Sequence, residues 1–255
     1  MSEFVKQLLI VCPMLFLAGM CDAIAGGGGT ISLPALMLAG LPTHFALGTN
    51  KMCMSMGTAV AVYRYGKEGR IRWFVSLVAA AGGVLGAILG AKLALLIDDQ
   101  YMRYVLLVLL PASAVFLALN RNFGEEGREK HYPPAKTALL AFLCGGGVGV
   151  YDGFFGPGAG TFYIMALSAV LGLGLTEATA DTRVINMASN LGALVTFITH
   201  GVVLWKLAIP GIACTMLGNY IGSGLAMKNG PKFVRPIMAA MIVLLFIKTI
   251  YDLVS

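Results

Sequence analysis

Charge is scarce in this chain. Of its 255 residues only 12% are Asp, Glu, Lys or Arg, against 58% that are hydrophobic, a balance that cannot cover the surface of a water-soluble domain. Clean two-residue alternation is also missing, which excludes a membrane β-barrel written in segments of about 10 residues. Cysteine offers no framework. Cys12, Cys21, Cys53, Cys144 and Cys214 are odd in number, mostly set in apolar sequence and without CxxC spacing, so neither a disulfide scaffold nor a zinc site is indicated. His44, His131 and His200 are scattered, and no metal or other cofactor is expected.

What is present is long apolar sequence. The mean hydropathy is +0.83, and residues 73–91, 104–119 and 207–227 carry no charge. Each run is close to the roughly 20 residues that a helix needs to cross the hydrocarbon core. The net charge of +6 then reports basic cytoplasmic loops rather than a nucleic-acid partner. Residues 4–25 end in DAIAG, a small-residue sequence of the kind that precedes signal-peptide cleavage; an internal recurrence argues instead for a retained helix.

That recurrence organises the chain. Gly19, Asp22, Gly26 and Gly28 return at an offset of 130 as Gly149, Asp152, Gly156 and Gly158, and Thr30 returns at 131 as Thr161. Beyond this the offset is 132: Lys51 with Arg183, Gly69 with Gly201, Trp73 with Trp205, Gly86 with Gly218, Gly90 with Gly222. In each half an apolar helix is interrupted by glycines that offer no side chain for packing, and the piece that follows, 30–39 or 161–175, is too short to span. The expected fold is an all-α integral membrane protein, about eight transmembrane helices in two homologous repeats, each with a Gly-rich break and a short half-helix. Residues 1–120 form the first repeat, 121–136 a polar linker and 137–255 the second. The long helices are placed at 4–25, 44–65, 71–97, 101–119, 135–155, 177–199, 206–227 and 233–253, with small-xxx-small glycine spacing on the third and seventh for close packing in lipid. On this count Lys and Arg cluster after the second and fourth helices, favouring a cytoplasmic N-terminus and parallel halves. If each half-helix crosses, the halves are inverted.

The candidate functional residues lie beside the breaks. Asp22, Lys51, Asp152 and Arg183 place one acid and one base in each half, and a charge near mid-membrane costs roughly 2.5–3.5 kcal/mol on insertion scales. A purely structural arrangement would have Asp22 cap the half-helix or pair with Lys51, and Asp152 likewise with Arg183. The functional arrangement rests on the half-helix starts, Gly28, Gly29 and Thr30 in one half and Gly158, Gly160 and Thr161 in the other, where backbone N–H groups and a positive dipole end suit an anion. Polar residues continue along one helical face as Lys51, Ser55 and Thr58, and as Arg183, Asn186 and Asn190; Asn50 adjoins Lys51. Any single one of these could be interhelical glue; the duplicated set reads as a substrate site, with Asp22 and Asp152 as proton-coupling or structural acids. AGGGGT and GPGAGT are not phosphate loops, because neither has the lysine that GxxxxGK[ST] requires.

At these residues the chain resembles the sulfite exporter family named for TauE and SafE. DAIAGGGGTISLPALMLAGLP and ALGTNK in the first half, and DGFFGPGAGTF followed by ATADTRVINMASN in the second, are similar to that family's two repeated signatures. The resemblance implies a multi-pass permease of the cytoplasmic (inner) membrane that carries a small anion such as sulfite or an organosulfonate. Its partners would be that anion, the lipid bilayer and, in some cases, further copies of itself, with no nucleic acid. Proton coupling is one option for driving it. A membrane scaffold without transport is the alternative, and an intramembrane enzyme a more distant one; no enzymatic activity is expected.

Overall fold

Apolar runs of this length can satisfy their backbone in lipid only by closing hydrogen bonds within the segment, and the chain does so as helices. The computed structural model describes residues 3–98, 100–102, 104–105 and 130–229. Eight helices are bounded among them: α1 (Glu3–Ala25), α2 (Gly29–Leu38), α3 (Thr43–Lys67), α4 (Trp73–Leu95), α5 (Pro134–Phe154), α6 (Ala159–Leu171), α7 (Leu175–Thr199) and α8 (Trp205–Asn229). The expected helix over 101–119 lies almost wholly, and that over 233–253 entirely, outside the described residues. Phe4–Ala25, α4 and α5 are long and apolar enough to cross a membrane by length and composition. Helices α3, α7 and α8 match them in length at 25 residues each, but α3 and α7 carry the buried polar residues described below.

Each glycine break stops its helix by a left-handed turn. Gly26 ends α1 with φ +77° and Gly156 follows α5 with φ +98°, a conformation that costs glycine nothing and other residues a steric clash. The short helix then turns back: Gln7 near the start of α1 donates from Nε2 to the Ala39 carbonyl just beyond α2, at 2.9 Å. In the same way Lys130, ahead of α5, donates its backbone N–H to Leu171 at the end of α6, at 3.1 Å. Each pair of helices therefore begins and ends at one level, and α3 and α7 set out from there.

Helix directions follow from the close contacts. Antiparallel α3 and α4 meet at His44 and Ala94, where Nε2 lies 3.1 Å from the carbonyl, and at Gly66 and Trp73. Helix α5 lies parallel to α4, with Gly145 against Ala79, Gly149 against Gly83 and Gly153 against Ala87. Helix α8 likewise runs parallel to α1, with Gly19 against Thr215, Gly218 against Phe16 and Gly222 against Met20. It follows that α5 runs opposite to α1. One end of the bundle, here the first face, holds the starts of α1, α3 and α8; the second face holds the starts of α4, α5 and α7. Helix α4 packs on α5 and α7, helix α8 on α1 and α3, and α3 meets α7 across the middle.

The polarity of a soluble fold is turned inside out. Leu9, Leu85, Leu89, Leu143, Val195 and Ile209 are exposed, whereas Lys51 and Arg183 are buried. Two apolar clusters, one around Leu15, Leu36, Leu47 and Phe197, the other around Ile24, Tyr65, Tyr163 and Ile185, enclose the polar centre.

A Cβ at Gly145 would collide with the Ala79 carbonyl, while at Gly147, one exposed face away on the same helix, it would meet nothing within 4 Å. Gly145→Val is expected to destabilise the protein by about 1–3 kcal/mol through overpacking. Gly147→Ala should be neutral or stabilising by up to about 1 kcal/mol, since alanine favours the helix. Thermal unfolding of the two variants in detergent compares them; equal midpoints would mean that α4 and α5 do not pack this closely.

Candidate functional site

Two turns into α3 stands Lys51, and two turns into α7 stands Arg183; Asp22 and Asp152 lie just before the ends of α1 and α5. All four are at most 2% exposed. Removing so much charge from solvent demands that every charge find a partner, and the partners cross between the halves. Lys51 donates from Nζ to Asp152 Oδ1 at 2.6 Å and to Asn190 Oδ1 at 2.9 Å. Ser189 Oγ donates to the second oxygen of Asp152. Arg183 places Nη1 3.6 Å from Asp22 Oδ2 and donates to the Asp22 backbone carbonyl. Thr58 Oγ1 donates to Asp22 Oδ2 at 2.9 Å, and Asn186 Nδ2 faces Oδ1 at 3.4 Å.

The structural alternative read from the sequence, Asp22 paired with Lys51 and Asp152 with Arg183, is thus not what forms: the pairs are crossed. Helix direction is the reason. Lys51 lies toward the first face, but Asp22, at the far end of α1, lies toward the second; α5 runs the other way and delivers Asp152 to the level of Lys51. Asn190 Nδ2 reaches Asn186 Oδ1 at 3.4 Å, so the two ion-pair clusters form one polar network between the faces.

The half-helix starts meet beside it. A Cβ on Gly160 would stand 2.6 Å from the Gly26 carbonyl oxygen, and one on Gly29 3.0 Å from Pro157 Cα. Only paired glycines allow this approach. Gly28 lies against Asp22 and Met54, and the Gly156 backbone lies beside Lys51 Nζ. Gly158 caps α6 in a left-handed conformation, φ +78°. The two threonine hydroxyls are engaged by backbone: Thr30 Oγ1 donates to Gly27 at 2.6 Å, Thr161 Oγ1 to Ala25 in the other half at 2.9 Å.

Not every buried polar atom is matched. Arg183 is among the largest fully buried side chains, yet among the described residues its Nη2 has no hydrogen-bond partner, nor does Asn50 Oδ1, which is also buried. A guanidinium nitrogen held in this way is a strong donor with an open position. Among the described residues no group of three or more His, Cys, Asp or Glu is placed to hold a metal ion.

Sequence reasoning pointed to the acids and bases that meet here but missed Ser189, and it missed Asp181, which lies apart from them at the head of α4. Ser189 follows Asn186 by three positions on the same helical face, a signal that its commonness in membrane helices hides. Asp181 is buried and accepts from the Arg72 backbone N–H at 2.7 Å and Ser76 Oγ at 2.8 Å. No spacing rule points to a contact made with the head of another helix.

The crossed pairs lead to a double-mutant cycle. Lys51→Met leaves Asp152 buried without its cation and is expected to cost about 3–5 kcal/mol, a large part of which Asp152→Asn in the same protein restores. Combining Lys51→Met with Asp22→Asn should restore far less, because these two residues are joined only through the Asn190–Asn186 contact. Unfolding midpoints of the single and double variants decide between the crossed and the within-half pairing.

Comparison with known proteins places the chain among membrane proteins. The family described as Sulfite exporter TauE/SafE matches residues 11–249. Among curated relatives, the chain is 35% identical over 237 residues to "Probable membrane transporter protein ORF9" of Sinorhizobium sp, covering 93% of this chain and 90% of that protein. It is 34% identical over 258 residues to "Probable membrane transporter protein YfcA" of Escherichia coli strain K12, covering 98% and 95%. A "Probable membrane transporter protein" of Haemophilus influenzae is 34% identical over 253 residues, covering 97% and 96%. No solved structure matches the chain. With a family match over nearly its whole length and relatives at this identity, the chain belongs to the sulfite exporter TauE/SafE family of membrane proteins.

Proposed function

We propose that this protein is a multi-pass secondary transporter of the inner membrane that carries a small sulfur-containing anion, sulfite or an organosulfonate, through a site between two inverted repeats. The observation that carries this reading is Arg183, fully buried with Nη2 unmatched, beside the junction of two glycine-started half-helices. A donor with that geometry in a low-dielectric centre suits an oxyanion with several acceptor oxygens. The family name supplies the sulfur chemistry, and the relatives' names supply transport.

Several features support two repeats of opposite orientation, each half-helix carrying the chain back to the level where its long helix began; the count of about eight long helices includes those expected from the sequence over 101–119 and 233–253. Exchanging the halves maps the contact of α4 with α5 onto that of α8 with α1, and α4 with α7 onto α8 with α3. Opposite helix directions make the relation inverted, as in many transporters. The basic residues sort accordingly. Arg64, Lys67, Arg70, Arg72, Lys130, Lys136 and Lys228 gather at the second face, against Lys6, Lys92 and Lys206 at the first. By the positive-inside rule the second face is cytoplasmic and the N-terminus external, the reverse of the orientation that the same rule gives on the sequence-based count of eight spans.

In this reading the crossed pairs are the two closures of an alternating-access cycle. Lys51–Asp152 seals the path toward the first face and Arg183–Asp22 the path toward the second. The second pair is the looser, at 3.6 Å against 2.6 Å, and leaves a nitrogen for substrate. The two acids and two bases sum to zero, so an anion entering alone would leave a net charge in the closed centre, at a cost that rises as the local dielectric falls. Protonation of Asp22 or Asp152 as the anion binds restores neutrality.

Proteoliposomes holding the purified protein should exchange labelled sulfite or a sulfonate against the unlabelled anion, and an inward proton gradient should drive accumulation. Asp22→Asn or Asp152→Asn should abolish the gradient's effect while sparing exchange. Absence of exchange with every sulfur oxyanion tried would refute the substrate class; full gradient-driven accumulation in both Asn variants would refute the coupling role.

A further inference from the structure

Away from the central network, one buried acid is doing more than its place in the fold requires. Asp181, 0% exposed on α7, receives the Arg72 backbone N–H at 2.7 Å and the Ser76 hydroxyl at 2.8 Å, both on Oδ1. It thereby satisfies the head of α4, whose first turn has donors without intrahelical partners. Its other oxygen, Oδ2, is buried and has no hydrogen-bond partner among the described residues.

The chain contains its own control for this arrangement. At the sequence offset of 132, Asp181 corresponds to Thr49 and Arg72 to Leu204. Thr49 Oγ1 accepts the Leu204 backbone N–H at 3.0 Å, at the head of α8. The same junction is therefore closed at both faces by a side chain two positions before the central base, and at the first face a neutral hydroxyl suffices. Capping does not call for a carboxylate, still less for a buried one with an unmatched oxygen, an arrangement that ordinarily costs more than a neutral hydrogen bond returns.

We propose that Asp181 is a proton-binding site at the second face, and that its protonation on Oδ2 loosens the head of α4 from α7. The ligand class is a proton rather than a metal cation. Arg72, paired at 3.7 Å with Glu177, is the cation beside it, and a second cation would be repelled. The charged groups acting most on Asp181 are Arg72, at the head of α4, and Glu177, in the first turn of its own helix. Ionised, Asp181 accepts charge-assisted hydrogen bonds from Arg72 N–H and Ser76 Oγ; protonated, it accepts weaker neutral ones. The lock is closed in the alkaline state and relaxed in the acid state. Thr49 has no such change, so the device acts at one face alone.

Amide hydrogen exchange of the full-length protein in detergent, followed across acidic to alkaline buffers and corrected for the intrinsic pH dependence of exchange, tests this without any assumption about transport. The first-turn amides of α8 serve as the reference for those of α4. The expected result is that protection at the head of α4 falls roughly tenfold on acidification, the difference between a charged and a neutral acceptor, while that of α8 does not. Asp181→Thr, which copies the neutral cap of Thr49, should give the α4 head a protection that no longer changes with pH and so remove the difference. Parallel behaviour of the two heads in the parent protein overturns the proposal even if the variant fails to fold, and so does an Asp181→Thr protein whose α4 head still responds to acid.

Discussion

A charge withdrawn from water and from lipid must meet its opposite within a few ångströms, and this requirement fixes the centre of the molecule. Four ionic side chains occupy it, and they are neutralised only because the first helix of each half ends where the base of the other half stands. Reversal of direction between α1 and α5 is what makes this possible. With both helices running the same way, each acid would sit at the wrong level for the opposite base, and a buried charge would remain uncompensated at a cost of several kcal/mol. The polar companions follow the same plan: each acid also receives a hydroxyl from its own half, Thr58 for Asp22 and Ser189 for Asp152.

Close glycine contacts make the crossing geometrically feasible. Gly26 and Gly160 allow the two breaks to touch, and the glycine rows of α4 with α5 and of α1 with α8 bring parallel helices together over several turns. In lipid, where apolar surface gains little by leaving its surroundings, such close backbone packing and a few interhelical hydrogen bonds hold helices together. The interior is consequently tight at the helix pairs and polar at the centre. Substrate and protons would act on the weaker of two similar ion pairs rather than on a pre-opened channel.

Much of this was legible in the residues. The half-helices end within a few positions of where glycine, proline and length placed them, and the duplicated Asp, Lys and Arg mark the centre. Pairing was not legible, because Asp22 lies 29 positions from Lys51 and Arg183 lies 161 from Asp22, and no local rule reports which of these separations the fold closes. Helix direction was equally hidden: whether 30–39 carries the chain back to the level of Gln7 or leaves it at the level where α1 ends reverses every later loop, and one hydrogen bond from Gln7 to Ala39 decides it. Asp181 left no trace in periodicity, since its partners are the backbone and hydroxyl of a different helix.

In the proposed transport reading, Arg183 offers its second terminal nitrogen to the anion while the crossed pair holds its position. Equilibrium binding of labelled sulfite to the purified protein, compared with Arg183→Lys, tests this directly: lysine keeps the charge but presents a single nitrogen in place of the planar fork. The account predicts saturable binding by the parent and at least about tenfold weaker binding by the variant, the loss of one charge-assisted contact. Equal affinities would contradict it and would move the anion to the backbone of the half-helix starts.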